Sequence, residues 1–380
     1  MVSVAECLRA ADSNSGLSVR DRVGLLFGSC VQLSRDDFSW SSSVPSSHDD
    51  FSAAEPISGF ATDSEEYAQV VRVRFGLDDI IKGLDVELVK TELGVGSLVQ
   101  LLWSLAIARV FSKPLVQAIQ ARIPALIQDI SPDEVVMLLW AEAMLFNTKS
   151  GIDVEVDISA FSHEQIVNIV FAYSLMQRRV DIVEVGRDLL VGKLSTVHAV
   201  RAVIFANHFL SQETNGLERI RAACKKLKPV KRPSWKYAFE LCLACHGAAS
   251  KGIEVFPSID DLFPFDALYT SRKKAARKIL FEIVRPQSVI RDLQDGSLVG
   301  VDGYTRMSRL VLAKKGLRIL PIRVSEWTSL GDLNRQVKYL KRRIRNCVQQ
   351  RRLFSGAERD EDFDHLSHTS DSESDSGMSY

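Results

Sequence analysis

The side chains best suited to a specific chemistry are the Lys and Arg residues of the C-terminal third, whose charge attracts phosphate. The stretch from Arg272 to Arg352 holds 21 Lys and Arg against 6 Asp and Glu, a net charge of +15 in a chain whose net charge is zero. A solvated helix face normally mixes both signs, so this imbalance favours nucleic-acid binding over solubility alone. The candidate phosphate contacts here are Arg272, Lys273, Lys274, Arg277, Lys278, Arg306, Arg309, Lys338, Lys341, Arg342, Arg343 and Arg345.

A second basic run lies earlier in the chain and has aromatic residues, Trp235 and Tyr237, among its charges. The unstacked bases of single-stranded RNA stack on such rings, while Lys and Arg bind its phosphates. The candidate contacts in this run are Lys225, Lys226, Lys228, Lys231, Arg232 and Lys236.

Residues for catalysis or metal binding are harder to find. Cys242-Leu-Ala-Cys245-His246 has the spacing of covalent haem attachment and of a redox cysteine pair, but it lies within a helical pattern and has no second pair to complete a zinc site. We therefore predict buried helix cysteines. The sequence contains no phosphate-binding glycine-rich loop, serine elbow or His-Glu-x-x-His helix, so it predicts neither an enzyme nor a cofactor or metal.

The basic residues must be positioned by regular elements, and the C-terminal pattern predicts alternating strands and helices. Ile279 to Val284 predicts a strand, and Thr305 to Lys315 predicts a helix. Leu317 to Trp327 predicts a second strand, and Leu330 to Arg352 predicts a strongly basic helix. The sequence therefore predicts a small α/β domain there.

Upstream, apolar residues recur at helical spacing from Leu77 to about Ala249, and five segments resemble one another. An interval in the mid-thirties is the length of one helical hairpin with its loops, which buries its apolar face by stacking on the next hairpin. We therefore predict a helical repeat solenoid, with an irregular all-helical domain as the alternative. The aligned aromatics lie 37, 31, 34 and 34 residues apart and are Trp103, Trp140, Phe171, Phe205 and Phe239.

Shifts in composition predict the domain limits. We expect a Ser- and Asp-rich segment at 1–66 that is mostly disordered or loosely docked, helical repeats at 67–250 and a connector at 251–271. The α/β domain then covers 272–352, and an acidic, Ser-rich disordered tail covers 353–380. The longest apolar runs are short and contain charges, so no membrane span is expected, and no targeting peptide is evident.

The C-terminal region contains a recognisable pattern: Leu280-Phe-Glu-Ile283, Gly303-Tyr-Thr305, Arg309-Leu-Val-Leu312 and Gly316-Leu-Arg-Ile-Leu-Pro-Ile322. Its characteristic residues are Phe281, Glu282, Pro286, Gly316, Glu326, Trp327, Tyr339 and Leu340. With this pattern, residues 279 to 345 resemble the RAP domain, an RNA-binding module of organellar proteins that is shared with the Fas-activated serine/threonine kinase family. The resemblance implies an endonuclease-like α/β fold after helical repeats, RNA as the partner, and the mitochondrial matrix as the location.

Some members of that family are suspected of cleaving RNA, and here the sequence departs from the family pattern. The acidic residue that usually follows Phe-Glu-Val is replaced by Val284, and the next glycine is replaced by Arg285. Metal-assisted cleavage needs carboxylates, and only Glu282, Asp302 and Glu326 remain as candidates. The resemblance therefore implies binding more than cleavage.

Together these features predict a non-catalytic mitochondrial protein that binds single-stranded RNA or rRNA. It would act either in RNA maturation or stabilisation, or as a structural component of the mitochondrial ribosome in contact with other ribosomal proteins. Two alternatives stay open. One is a RAP-type metal-dependent RNA endonuclease, and the other is a helical-repeat scaffold whose basic helix binds an acidic protein.

Overall fold

A computed structural model describes residues 17–42, 77–145, 152, 154–212, 214–227, 236–248, 252–259, 262–270, 278–284 and 288–349. At 32–42, 236–239, 258, 325 and 347–349 it describes the backbone alone. These residues are mainly helical, with small mixed sheets towards the C-terminal end. The predicted combination of a helical region and a small α/β region is confirmed at this level of detail.

Ten of the described helices precede the larger sheet, and side-chain caps explain where several of them begin. Asp85 accepts the N–H groups of Glu87 and Leu88, and Ser162 forms a capping box with Gln165. None of the helices in the described part of the chain combines the length and apolar character that a bilayer span needs. A further helical stretch, at 77–82, is not numbered. The ten helices are α1 (Val19–Ser42), α2 (Val86–Glu92), α3 (Val95–Ala108), α4 (Lys113–Leu126), α5 (Pro132–Leu145), α6 (His163–Met176), α7 (Val180–Val191), α8 (Val197–Phe209), α9 (Leu217–Lys226) and α10 (Lys236–Ala248).

The helices of residues 17–227, the helical part, form two layers. Helices α1, α3, α5, α6 and α8 pack side by side in that order, while α2, α4, α7 and α9 pack behind them. The evenly spaced aromatics lie in the first layer: the ring centroids of Trp103 and Trp140 are 6.3 Å apart, and those of Phe171 and Phe205 are 5.5 Å apart. The residues buried between these helices form the first core of the protein. Within the segment 1–66, helix α1 contributes Val19, Val23, Leu26 and Cys30 to this core.

Helix α10 carries the fifth aligned segment, and it packs into a second core together with residues from 253 onward, which we call the C-terminal part. Its main neighbour is the last helix of the chain, and it also contacts the sheet. Leu241, Ala244 and Cys245 are fully buried there with Phe281 and Trp327. This helix therefore belongs structurally to the C-terminal core.

The C-terminal part is built on a four-stranded sheet of order β2-β5-β6-β9, in which β6 and β9 are parallel and the other pairs are antiparallel. A three-stranded sheet joins β1 of the helical part to β7 and β8, and β3 pairs with β4. The segment predicted as a connector, 251–271, supplies β2 to β5. The strands are β1 (Val110–Phe111), β2 (Ile253–Val255), β3 (Ser258–Ile259), β4 (Phe263–Pro264), β5 (Ala267–Thr270), β6 (Lys278–Val284), β7 (Val289–Asp292), β8 (Leu298–Val301) and β9 (Leu317–Arg323).

Three helices complete the C-terminal part: α11 (Gly303–Lys314), α12 (Val324–Ser329) and α13 (Leu333–Gln349). The predicted second strand was expected to run to Trp327, and that expectation was wrong, because β9 ends at Arg323. The six-residue helix α12 follows and places Trp327 in the second core with no exposed surface. Its indole N–H donates to Glu240 of α10 at 3.1 Å, a partner that a local strand pattern cannot show.

Helix α11 joins the two parts by lying across α5, α6 and α8. The Tyr304 ring packs against Phe171 and Phe205, with ring centroids 6.2 and 5.9 Å away. At Gly303 a Cβ atom would lie 2.0 Å from the carbonyl oxygen of Ala143, so only glycine permits this close approach. One face of the four-stranded sheet therefore shares the core of the helical part, while residues of its other face lie in the second core.

Candidate nucleic-acid interface

Helix α13 is amphipathic, and its inner face holds it on the C-terminal core. Tyr339 and Leu340 are buried, and Val337 packs against Gly247 of α10. The start of the helix is fixed by Asp332, whose carboxylate accepts the backbone N–H of Arg335 at 3.0 Å. The inner face therefore fixes which side chains of α13 point to solvent.

The outer face of α13 carries the exposed residues Lys338, Lys341, Arg342 and Arg345, and the exposed Arg335 one turn earlier pairs with Asp332. Their spacing of three, four and seven residues places them on one side of the helix, because each residue turns it by about 100°. The helix contains no Asp or Glu between Leu333 and Gln349. The outer face is therefore a single row of positive charge along a fixed helix.

Arg343 was also predicted to bind phosphate, and the structure places it beside this row. Its guanidinium lies 5.7 Å from the centre of the Tyr339 ring, and Nη2 donates to the carbonyl oxygen of Pro321 at 3.4 Å. Arg343 thus links α13 to the edge strand β9, where proline leaves no backbone N–H to pair.

Glu326 and Trp327, two residues of the RAP-like pattern, contact the inner face of α13. The Tyr339 hydroxyl donates to Glu326 Oε1 at 2.8 Å, and the Trp327 and Tyr339 rings meet edge to face with centroids 6.5 Å apart. Burial raises the pKa of Tyr339, so the phenol stays protonated and keeps donating to Glu326. Phe281 is fully buried in the same core, and Gly316 lies at the turn before β9 with a φ of +75°.

The other predicted contacts are spread over the chain. Lys225 and Lys226 are exposed at the end of α9, and Lys278 is exposed at the start of β6. Lys236 begins α10, where only the backbone is described. The predicted residues outside the described part of the chain are Lys228, Lys231, Arg232, Arg272, Lys273, Lys274, Arg277 and Pro286.

Arg306 and Arg309 lie on α11 and are only partly exposed. The Arg309 guanidinium donates from both Nε and Nη2 to Glu282 Oε2, at 3.1 and 2.9 Å. An arginine bound in this way by a buried carboxylate is held towards the protein interior. The structure therefore ties Arg309 to β6, away from the outer face of α13.

The three carboxylates considered for cleavage each have a partner of their own. Glu282 pairs with Arg309, and Glu326 accepts from Tyr339. Asp302 caps α11 through the Thr305 N–H and pairs with Arg109, with nitrogen and oxygen 3.2 Å apart. Within the described residues, no group of three or more His, Cys, Asp or Glu side chains is arranged to hold a metal ion.

The cysteine motif of α10 lies in the second core, which confirms the prediction of buried helix cysteines. Cys242 and Cys245 are 4% and 0% exposed, whereas His246 is exposed. Burial raises the pKa of the Cys242 thiol to about 12, and its Sγ donates to the carbonyl oxygen of Asp266 at 3.1 Å. A thiol held protonated in this way is a poor nucleophile.

Sequence reasoning missed several polar residues that position the interface. Glu240 accepts the Trp327 indole N–H from 87 residues away, and the buried Asp266 accepts the Ile283 N–H at 2.7 Å. Arg109 pairs with Asp302 across the two parts. These contacts join residues distant in sequence, so no local pattern reveals them. The one feature that a local pattern could indicate is the helix cap at Asp302, directly before Gly303.

Comparison of the sequence with protein-family models finds no match, and comparison with curated proteins finds none either. The resemblance to the RAP domain, with the RNA partner and organellar location that it implies, therefore stays a prediction.

Proposed function

We propose that this chain is a non-catalytic RNA-binding protein that binds phosphates on the outer face of α13. The observation that carries the proposal is the division of α13 into two faces. Four cations line one face, with no acidic residue in the helix, while the other face is locked into a core. Lys and Arg contacts to phosphate dominate nucleic-acid affinity, because each contact releases condensed counterions.

The proposal extends to the class of protein. The chain is a helical repeat protein followed by a RAP-like, endonuclease-like α/β module, located in the mitochondrial matrix. The layered packing of α3, α5, α6 and α8 supports the repeat assignment. The burial of Trp327 and the contact between Glu326 and Tyr339 support a structural role for the signature residues. The protein stabilises or helps to process organellar RNA, or holds rRNA within the mitochondrial ribosome.

The test removes charge from the outer face of α13 and measures RNA affinity. The triple variant Lys338→Gln/Lys341→Gln/Arg345→Gln keeps the inner face intact, because all three side chains are exposed. We expect it to bind a labelled RNA at least about tenfold more weakly at low salt. The slope of log affinity against log salt concentration should also become shallower, by about 0.7 to 0.9 for each phosphate contact that is lost. Fluorescence anisotropy across a salt series measures both quantities.

A matched control separates the site from net charge. Lys82→Gln/Lys113→Gln/Lys193→Gln removes the same charge from exposed lysines of the helical part. This control should keep wild-type affinity, and an equal loss in both variants would contradict the proposal. RNA should stay intact when Mg²⁺ is present, because each candidate carboxylate already has a partner. Metal-dependent shortening of the RNA would instead favour an endonuclease.

A further inference from the structure

Resting on the RNA-binding function proposed above, we propose that the RNA bound by α13 is base-paired. In this mode α13 contacts the phosphate backbone of a duplex and leaves the bases unread. The proposal concerns the outer face of α13, which is the surface that the structure describes. The aromatic residues that favour single-stranded RNA, Trp235 and the side chain of Tyr237, lie outside the described residues.

The charged row on α13 is short and straight. Lys338 and Arg345 are seven residues apart, which is about 10 Å along a helix rising 1.5 Å per residue. Lys341 and Arg342 lie between them on the same side, so the row is straight. Because Asp332 caps the helix start and Leu340 is fully buried, the backbone that carries the row is fixed, and only the side chains can adjust to a ligand. A straight row of charge on a fixed backbone fits phosphates that are already held in place.

The aromatic rings in the described part of α12 and α13 are buried. Trp327 is 0% exposed and Tyr339 is 6% exposed, and both point into the second core. The Tyr339 ring is further covered by the Arg343 guanidinium. Stacking of an unpaired base on an aromatic ring is a main source of affinity for single strands. Among the described residues, the two rings that could supply this stabilisation from α12 and α13 are therefore occupied within the protein.

A single strand and a duplex differ in the conformational entropy that they lose on binding such a row. A single strand must lose conformational freedom to lay its phosphates along a straight row, and that loss is normally offset by stacking. Duplex RNA is already ordered, and its bases are stacked on each other. Proteins that bind RNA duplexes do so through shape and through phosphate and 2′-hydroxyl contacts rather than base edges. In the described part of α12 and α13, exposed charge is combined with buried rings, and this combination favours the duplex.

The test compares two probes on the full chain. One is a labelled RNA duplex of about 20 base pairs, longer than the span that known duplex-binding domains cover, and the other is one of its strands, chosen to be unstructured. We expect the duplex to bind about tenfold more tightly than the strand, because the strand lacks stacking partners on α13. We also expect a duplex of permuted sequence to bind equally well. Competition against the labelled duplex measures all three affinities.

The variants assign the preference to α13. Lys338→Gln/Lys341→Gln/Arg345→Gln should lose the preference for the duplex, whereas Lys82→Gln/Lys113→Gln/Lys193→Gln should keep it. Tighter binding of the single strand, or a clear difference between the two duplex sequences, would overturn the inference while leaving RNA binding itself intact. Failure of both probes to bind would overturn the proposed function and the inference together.

Discussion

The carboxyl group of Glu142 lies inside the helical part with none of its surface exposed. Its Oε1 accepts the backbone N–H of Ile152 at 2.8 Å, and no donor among the described residues reaches Oε2. Burial raises the pKa of Glu142 from 4.5 to about 7, although this hydrogen bond and the nearby charge of Arg178 act in the opposite direction. The folded protein therefore retains a proton that the unfolded chain releases at lower pH.

This proton gives Glu142 a pH-dependent effect on stability. Because the folded pKa lies above the unfolded one, the stability contribution of Glu142 falls as pH rises from about 4.5 to about 7 and stays low at higher pH. Glu142→Gln keeps an oxygen acceptor for Ile152 and cannot ionise. We expect this variant to be more stable than wild type at pH 8, by at most roughly 3 kcal/mol. Urea unfolding at pH 5 and pH 8 measures the difference.

Comparing wild type with Glu142→Gln at each pH separates the effect of Glu142 from that of other titrating groups. At pH 5 the gain should largely disappear, because Glu142 is then protonated in the wild-type fold. A gain of the same size at both pH values would show that charge is not responsible. The sequence indicated Glu142 only as a polar interruption of an apolar run, since burial depends on which helices surround it.

At the scale of elements, the contact between α10 and α13 fixes the direction in which the basic row faces. At Gly247 a Cβ atom would lie 2.7 Å from Val337 Cγ2, closer than side chains normally approach. The two helices can approach this closely only because α10 has no side chain at that position. The orientation of the outer face of α13 therefore depends on a residue of a different helix.

We expect Gly247→Ala to move α13 and to destabilise the C-terminal part. Overpacking of this kind costs about 1 to 3 kcal/mol, although alanine also favours the helix by up to about 1 kcal/mol. Gly28→Ala is a suitable control, because a Cβ at Gly28 on α1 would meet nothing within 4 Å. Because the basic row moves with α13, we also expect RNA affinity to fall. Chemical unfolding measures stability, and fluorescence anisotropy with labelled RNA measures affinity.

Adding Val337→Ala to Gly247→Ala should restore both stability and RNA affinity, because it removes the methyl group that the new Cβ meets. If the double variant is no better than Gly247→Ala alone, the close contact between the helices is not the cause of the loss.

The sequence predicted several elements well and others poorly, for physical reasons. The apolar run from Ile279 to Val284 predicted β6 within one residue, because a strand buried on both faces leaves a continuous apolar signal. It did not predict that β9 stops at Arg323, because α12 is stabilised by the distant Glu240. The short strands of 253–270 were also missed, since strands of two to four residues leave little periodicity.

At the scale of the whole molecule, the helical and C-terminal parts form one structure. Strand β1 pairs with β7, and Arg109 pairs with Asp302. Arg201 donates to the carbonyl oxygen of Leu262 and lies 5.1 Å from the centre of the Tyr304 ring. The sequence suggested two neighbouring domains, because the periodicity of each region says nothing about how closely they pack.

We expect Gly303→Ala to destabilise both parts together. The new Cβ would collide with the Ala143 carbonyl oxygen, and a backbone atom has no rotamer through which it can move aside. Hydrogen exchange should then show loss of protection in α5 as well as in α11, because the two parts share one core. Gly300→Ala is the control, since a Cβ there meets nothing within 4 Å.

Loss of protection confined to α11 and the sheet would contradict this prediction. It would show that the C-terminal part opens independently, and the shared core would then not make the two parts one cooperative unit.

The pairing of β1 with β7 also affects how the chain folds during synthesis. Val110 and Phe111 leave the ribosome about 180 residues before their partners Arg291 and Asp292. At roughly 5 to 20 residues per second, this short strand remains unpaired for about 10 to 40 seconds. The helical part is thus translated with an open edge that only the last third of the chain can close. A chain truncated before β7 would keep that edge without its partner strand, and unpaired edge N–H and C=O groups are a template for pairing with another chain.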